Sequence, residues 1–160
     1  MEKIKRSLWQ NFLDVAPGET QPTYKRIGKG VTSQKISYNP QTTTEQYIDE
    51  DNSTTSVDGY QPSLDGTQTA FKGDGVFEFI DGLRKKRALG KDLETTIISV
   101  NLYDESSSGT YSAEKNKAVI QLGDFGGENN IQITYTIALN GDPTQGTATV
   151  EDGAVSFTEK

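Results

Sequence analysis

The chain has 160 residues, no cysteine and no histidine, and a formal net charge of −7. Without cysteine it can form no disulfide or thiolate metal site, and without histidine it lacks the commonest general base and transition-metal ligand. We therefore expect neither an enzyme nor a bound cofactor or metal. Only 32% of the residues are hydrophobic and 16 are Gly, which favours one β-sandwich or β-barrel domain spanning 1–160.

The charges fall into four blocks of alternating sign. Residues 1–35 carry seven Lys or Arg against three acids, and 72–91 carry six against three. Between them 36–71 hold six acids and no cation, and 92–160 hold eleven acids against three cations. Complementary blocks suit copies that meet through unlike surfaces, so we favour self-assembly. The alternative is that uneven charge only keeps the domain soluble.

The N-terminal sequence begins with basic residues but continues into a mixed polar segment, so it does not read as a signal peptide. No stretch approaches the roughly 20 apolar residues needed to span a bilayer. We expect a soluble protein made inside a cell, with no membrane contact.

The first strands of the chain are predicted from the alternation of polar with apolar or β-branched residues. Segments 23–27 and 31–38 flank Gly28-Lys29-Gly30 and read as a hairpin. Two polar strands, 42–48 and 54–60, are joined by an acidic turn at 49–52. They contain so few apolar residues that we expect a long hairpin, 41–60, that projects from the body and is marginal by itself.

One segment, 74–87, has helical periodicity. Its apolar stripe consists of Val76, Phe77, Phe79, Ile80 and Leu83. Asp74 is placed to cap the start, the cations of 84–87 occupy the end, and Gly90 stands just beyond. Burying the stripe at roughly 1.5–3 kcal/mol per side chain would dominate the helix's stability.

The strands after the helix are more apolar. They are predicted at 93–103, 117–122, 130–139, 147–150 and 154–157. Apolar residues occupy every second position from Ile131 to Leu139, which is typical of a one-sided core strand. Turns are predicted at 140–143 and 151–153. The result is a mainly β protein, an antiparallel sandwich or barrel with one short flanking α-helix.

The order of several short motifs resembles a known family. These are Tyr38-Asn39-Pro40, Tyr47-Ile48, the sequence from Gly59 to Leu64, the sequence from Gly75 to Ile80, and Thr95 through Val100 to Tyr103. Together they are similar to the major tail tube proteins of long-tailed, siphovirus-type bacteriophages that infect Gram-positive bacteria. The resemblance implies a β-sandwich with a flanking helix, and hexameric rings that stack into a tube through which the genome passes.

The resemblance also implies partners and contact residues. The partners would be further copies of the chain together with tape-measure, tail-terminator and distal tail proteins, in a virion tail assembled in the host bacterial cytoplasm. An N-terminal arm, 1–20, and the 41–60 hairpin would reach adjoining subunits or rings, and Val76, Phe77, Ile80 and Leu83 would dock the helix. The candidate interface residues are Trp9, Phe12, Tyr47, Ile48, Asp49, Glu50, Asp51, Tyr60, Arg84, Lys85, Lys86 and Arg87.

The net negative charge is consistent with this role. A conduit for double-stranded DNA must not bind it, because each phosphate neutralised by Lys or Arg adds affinity. Acidic residues within 41–66 and 92–105 are candidates for the lining, although any one of them could equally face outside solvent. The basic run 84–87 closes a helix and has no interleaved aromatic residues, so we favour a contact with an acidic subunit face over nucleic-acid binding.

Two alternatives remain open. Trp9, Tyr24, Tyr47 and Tyr60 could form the platform of a carbohydrate-binding or adhesion module. The chain could also be the inner tube protein of a contractile injection or secretion system, which shares the fold. A calcium loop at Asp49 is disfavoured, because the sixth position is Thr54 rather than Gly and no glutamate follows at the twelfth.

Overall fold

Antiparallel strands make up most of the chain in this computed structural model, which describes residues 1–160. The elements are β1 Trp9–Asp14, β2 Tyr24–Arg26, β3 Ile36–Ser37, β4 Pro40–Glu45, β5 Thr54–Tyr60, β6 Ser63–Thr69, α1 Gly75–Lys85, β7 Glu94–Ser107, β8 Thr110–Gly126, β9 Gln132–Glu151 and β10 Ala154–Glu159. Two short 3-10 turns precede β1 and β7. The prediction of a mainly β, antiparallel fold with one helix is confirmed.

The main sheet has eight strands in the order β2-β1-β7-β8-β9-β6-β3, with β10 also paired to β9. The first half of β9 pairs with β6 and its second half with β10. Successive residues of β1 point to opposite faces, so that Leu13 enters a larger core beneath α1 and Phe12 a smaller one. The sheet thus buries apolar side chains on both sides.

The helix lies on the larger core through its apolar stripe. Val76, Ile80 and Leu83 are buried, and Phe77 and Phe79 pack against them while partly exposed. Asp74 caps the start by accepting a hydrogen bond from the backbone N–H of Phe77 at 3.3 Å. The helix is therefore held by side-chain packing and by the cap predicted from the sequence.

The C-terminus of α1 differs from the prediction, because the left-handed residue is Arg87 rather than a glycine. Arg87 has φ 47° and donates its N–H to Arg84 O at 3.1 Å, and Ala88 donates to Leu83 O at 3.1 Å. These two bonds define a Schellman motif. Gly90 instead begins the following 3-10 turn.

Part of the predicted N-terminal arm, 1–20, is a strand of the main sheet. Trp9–Asp14 forms strand β1, which lies between β2 and β7 inside the main sheet. Phe12 is fully buried in the protein's own core. The expectation that Phe12 contacts an adjoining subunit is therefore wrong, because its side chain has no surface to offer.

Two predicted chain reversals are also absent. β2 pairs with β1 and β3 pairs with β6, so residues 23–38 do not form a hairpin with each other. At 140–143 no turn forms, and the chain continues within β9. The register of β9 against β8 shifts there, and Gly141, with φ 70°, accommodates the extra residues as a bulge. The turn at 151–153 is confirmed, with positive φ at Asp152 and Gly153 as a type I′ hairpin requires.

Candidate assembly surfaces

Strands β4 and β5 form a two-stranded sheet of their own. They pair from Pro40↔Tyr60 to Glu45↔Thr54, and neither joins the main sheet. All residues of both strands are exposed except Gly59, which is half-buried. An isolated two-stranded ribbon is marginally stable in water, so this hairpin, residues 40–60, has little within its own subunit to hold it in place.

The tip of the hairpin, residues 46–53, combines apolar and acidic side chains. Ile48 is fully exposed, and Tyr47 is 59% exposed. Tyr47 donates its hydroxyl to Glu45 at 2.6 Å, and this hydrogen bond raises the pKa of Tyr47. Asp49 and Asp51 are exposed, and Glu50 is half-buried with one carboxylate oxygen, Oε2, shielded and without a hydrogen-bond partner. Within the single subunit the tip therefore leaves an apolar side chain exposed to water and a shielded carboxylate oxygen without a hydrogen-bond donor.

An apolar groove of about 580 Å³ lies at the base of the hairpin. Tyr38 and Tyr60 meet edge to face there, with ring centroids 6.3 Å apart, and both rings are more than half exposed. Leu139 and Glu114 line the opposite side. Partial burial raises the pKa of Tyr38, and the charge of Glu114 adds to that effect. Tyr60 thus lies where the hairpin joins the body.

The basic run 84–87 divides into two halves. Arg84 and Lys85 both pair with Asp81, at 2.8 Å and 3.2 Å, and the guanidinium of Arg84 lies 3.6 Å from the ring centroid of Phe125. Lys86 and Arg87 are exposed and make no ion pair. Only the second half of the run is free to meet another molecule.

Ion pairs within the chain are few. The two salt bridges just described are the only ones, and both involve Asp81. None of the six acids of 36–71 is paired with a cation of the same chain. The alternating charge blocks of the sequence therefore remain unneutralised within one subunit.

Trp9, a candidate interface residue, lies beside Arg6, which the sequence did not indicate as a site residue. Arg6 donates to the backbone carbonyl of Trp9 at 2.7 Å and to that of Gln34 at 3.1 Å, and its guanidinium lies 4.9 Å from the Trp9 ring centroid. Trp9 is half-buried and lines a cavity of about 330 Å³ together with Arg26 and Gln34. No local motif could reveal this cavity, because its walls come from two separate segments, 6–11 and 26–34.

The four aromatic residues considered for a carbohydrate platform lie on different elements. Trp9 belongs to β1, Tyr24 to β2, Tyr47 to the tip and Tyr60 to the base of the hairpin. Tyr24 is half-buried, and its hydroxyl is hydrogen-bonded to Thr96 at 2.8 Å. The aromatic rings that do pair are those of Tyr38 and Tyr60.

No cluster of three or more acidic side chains is arranged to hold a metal ion. The single α-helix, 11 residues from Gly75 to Lys85, is too short to cross a bilayer, and no other helix of the chain could do so.

Comparison with known proteins identifies the fold. No protein-family profile matches the sequence, and no curated protein sequence matches it. Among solved structures, the chain is similar to that of the SPP1 tail tube, determined by solid-state NMR and cryo-electron microscopy, with a TM-score of 0.62. The match covers 94% of this chain and 82% of that one at 11% sequence identity. The chain has the fold of a phage tail tube protein.

Proposed function

We propose that this protein is the structural subunit of a siphovirus-type phage tail tube, and that its copies assemble into stacked, hexameric rings. The observation that carries the proposal is the structural match to the SPP1 tail tube, which extends over 94% of the chain. The resemblance read from the sequence points to the same class, independently of the coordinates. The protein would then reside in the virion tail and act without catalysis.

The hairpin supports this proposal physically. The backbone groups of its two strands pair with each other, but Tyr47 and Ile48 remain exposed at the tip. On docking, each of these side chains would lose contact with water. Burial of such side chains contributes roughly 1.5–3 kcal/mol each, which is enough to order a marginal ribbon. A neighbouring subunit or ring is the surface on which this hairpin would dock.

The electrostatics support a role as a conduit for double-stranded DNA. Acids such as Asp58, Asp65, Asp104 and Glu105 are exposed and unpaired. With −7 charges per copy, a ring of subunits repels a polyanion and lets it slide rather than bind. In this proposal acids of 92–105 and of 41–66 outside the hairpin tip line the bore, and tape-measure, tail-terminator and distal tail proteins cap or fill the tube.

Excision of the hairpin tests the proposal. In the test variant, residues 42–58 are replaced by Asn-Gly, a two-residue type I′ turn that joins Gln41 to Gly59, which are paired across the hairpin. Thermal melting should change little, because β4 and β5 contribute no residue to either core. Sedimentation of the wild type should show large, concentration-dependent assemblies, whereas the variant should remain monomeric.

The opposite results would contradict the proposal. A variant that still assembles like the wild type would show that the hairpin is not an assembly element. A wild-type protein that remains monomeric up to millimolar concentration, and that binds oligosaccharides on a glycan array, would identify a carbohydrate-binding module instead.

A further inference from the structure

The cavity beside Trp9 has the composition of an anion site. It is about 330 Å³ in volume and is walled by the turn before β1, the end of β2 and the loop at 28–34. Arg6 and Arg26 contribute the charged side chains, and no acidic residue lines it. Neither arginine forms a salt bridge within the chain. Two unneutralised guanidinium groups therefore border one concave surface.

A buried donor in the same cavity lacks a partner. Gln34 is 6% exposed, and its side-chain Nε2 is buried without an acceptor. An unsatisfied buried amide is costly, and native proteins normally satisfy such groups. Gln34 lines the cavity, and an acceptor that entered it and reached Nε2 would remove this cost. The paired N–H donors of an arginine guanidinium, together with an amide N–H donor, match the acceptor oxygens of a carboxylate.

We propose that this cavity, the arginine cavity, binds a carboxylate side chain from the hairpin tip of a second copy of the chain. The inference rests on the proposed self-assembly and specifies its partner surfaces. The tip supplies Asp49, Glu50 and Asp51, and no cation lies anywhere in 36–71 to neutralise them. Glu50 Oε2 and Gln34 Nε2 are two of only three buried side-chain atoms that lack a partner. One is an acceptor and the other a donor.

The tip of the same subunit does not fill the cavity. In this structure neither Arg6 nor Arg26 pairs with a tip acid, and the hairpin forms a sheet separate from the body. Six paired residues along β4 at about 3.3 Å each carry the tip roughly 20 Å beyond the point where the hairpin begins. A ribbon of that length carries the exposed acids Asp49 and Asp51 beyond the base of the hairpin, where another copy can meet them.

A double-mutant cycle tests the contact. One variant carries Arg26→Gln, a second carries Asp49→Asn, Glu50→Gln and Asp51→Asn, and a third combines them. The readout is the association constant from sedimentation, with Lys91→Gln as the matched control for losing one exposed, unpaired cation. Each of the first two variants should weaken association about tenfold or more, and the combination should be no weaker than either alone. Lys91→Gln should leave the association constant near that of the wild type.

Two results would overturn the proposal: losses that multiply in the combined variant, or an Arg26→Gln variant that associates like the wild type. Either would leave tube formation itself intact, so failure of this contact is distinguishable from failure of the proposed function.

A binding experiment on dilute wild-type protein separates a second copy from a small anion as the carboxylate source. The probe is a synthetic peptide with the sequence of residues 45–54, compared with a scrambled peptide and with acetate. Chemical shifts of the Gln34 side-chain amide should respond to the native peptide at lower concentration than to either comparison, and Arg26→Gln should abolish the response. A response to acetate alone, or to both peptides equally, would refute recognition of the tip.

Discussion

The side-chain amide of Asn39 donates a hydrogen bond to the backbone carbonyl of Gln61 at 3.0 Å, across the point where the hairpin leaves the main sheet. The backbone N–H of Gln61 returns a bond to Tyr38 O at 3.2 Å. β3–β6 and β4–β5 are thus two sections of one antiparallel ribbon that bends here. Asn39 adopts φ 46°, a left-handed conformation that Asn tolerates better than most residues.

Substitution at Asn39 should loosen the direction of the hairpin. Asn39→Ala removes the bond to Gln61 and puts in the left-handed region a residue that tolerates this conformation less well than Asn, at a cost of about 1–2 kcal/mol. Hydrogen exchange at the Gln61 N–H should then accelerate roughly fivefold or more. Asn39→Gly keeps the conformation while losing the bond, so it should accelerate exchange less. Equal exchange rates in all three proteins would show that Asn39 does not fix the bend.

Gly66 and Tyr135 make a close cross-strand contact between β6 and β9. A β-carbon on Gly66 would lie 2.6 Å from the Tyr135 ring, which is buried and donates its hydroxyl to Gln68 at 3.3 Å. Because the ring has no free space, Gly66→Ala should lower the free energy of unfolding by about 1–3 kcal/mol, measured by chemical denaturation.

Gly59 provides the matched control for this substitution. It also lies in a strand, but no atom lies within 4 Å of the position that a β-carbon would occupy. Gly59→Ala should therefore be close to neutral in the free energy of unfolding. If both substitutions destabilised equally, loss of glycine rather than contact with Tyr135 would be the cause.

The C-terminus of α1 offers a stabilising substitution. Arg87 holds the left-handed position of the Schellman motif that glycine normally occupies. Arg87→Gly should raise the free energy of unfolding by about 0.5–1 kcal/mol, because it relieves the strained φ. Lys86, one residue earlier, has φ −92°, so Lys86→Gly should instead be neutral or destabilising. A loss of stability in Arg87→Gly would contradict this reading of the helix end.

Asp81 gives the helix a pH-dependent contribution to stability. Partial burial acts to raise the pKa of Asp81, but its hydrogen bonds and charge contacts with Arg84 and Lys85 outweigh burial and hold that pKa below its ordinary value. Because the folded-state pKa is lowered, the contribution is present above the ordinary carboxyl pKa of about 3.9 and is lost as pH falls through the folded-state value.

Asp81→Asn should therefore lower the free energy of unfolding at neutral pH, by up to about 1 kcal/mol, and the difference from the wild type should disappear once the pH has fallen below the folded-state pKa of Asp81. Asp92→Asn is the control, since Asp92 is exposed and makes no ion pair. A difference that persisted unchanged at low pH would mean that Asp81 acts through something other than its charge.

The helix and the last strands could be predicted from the sequence because their signals are local. The stripe Val76, Ile80 and Leu83 has helical spacing, and Asp152-Gly153 encodes its turn directly. The N-terminal strand was misjudged because Asn11 and Asp14 look like surface residues. In the structure both are buried, with Asn11 accepting from Ser99 at 2.6 Å and Asp14 from the N–H of Thr23 at 3.1 Å.

The assembly surfaces could be predicted only in part. The polar composition of 41–60 indicates a ribbon that cannot bury itself, and the structure leaves β4 and β5 outside the main sheet. The basic run divides into a paired half and a free half partly because the ring of Phe125 packs against the guanidinium of Arg84. Phe125 is distant from Arg84 in the sequence, so this contact could not be predicted. The arginine cavity depends likewise on two segments, 6–11 and 26–34, that only the folded sheet brings together. Long-range pairing has no local signature.

Cryo-electron microscopy of the wild-type protein at high concentration tests the central claim most directly. The account predicts hollow tubes of uniform diameter built of stacked hexameric rings, with each β4–β5 hairpin lying against a neighbouring subunit and exposed acids facing the bore. Particles that remain single subunits at every concentration and ionic strength, or assemblies in which the hairpins contact only solvent, would contradict it.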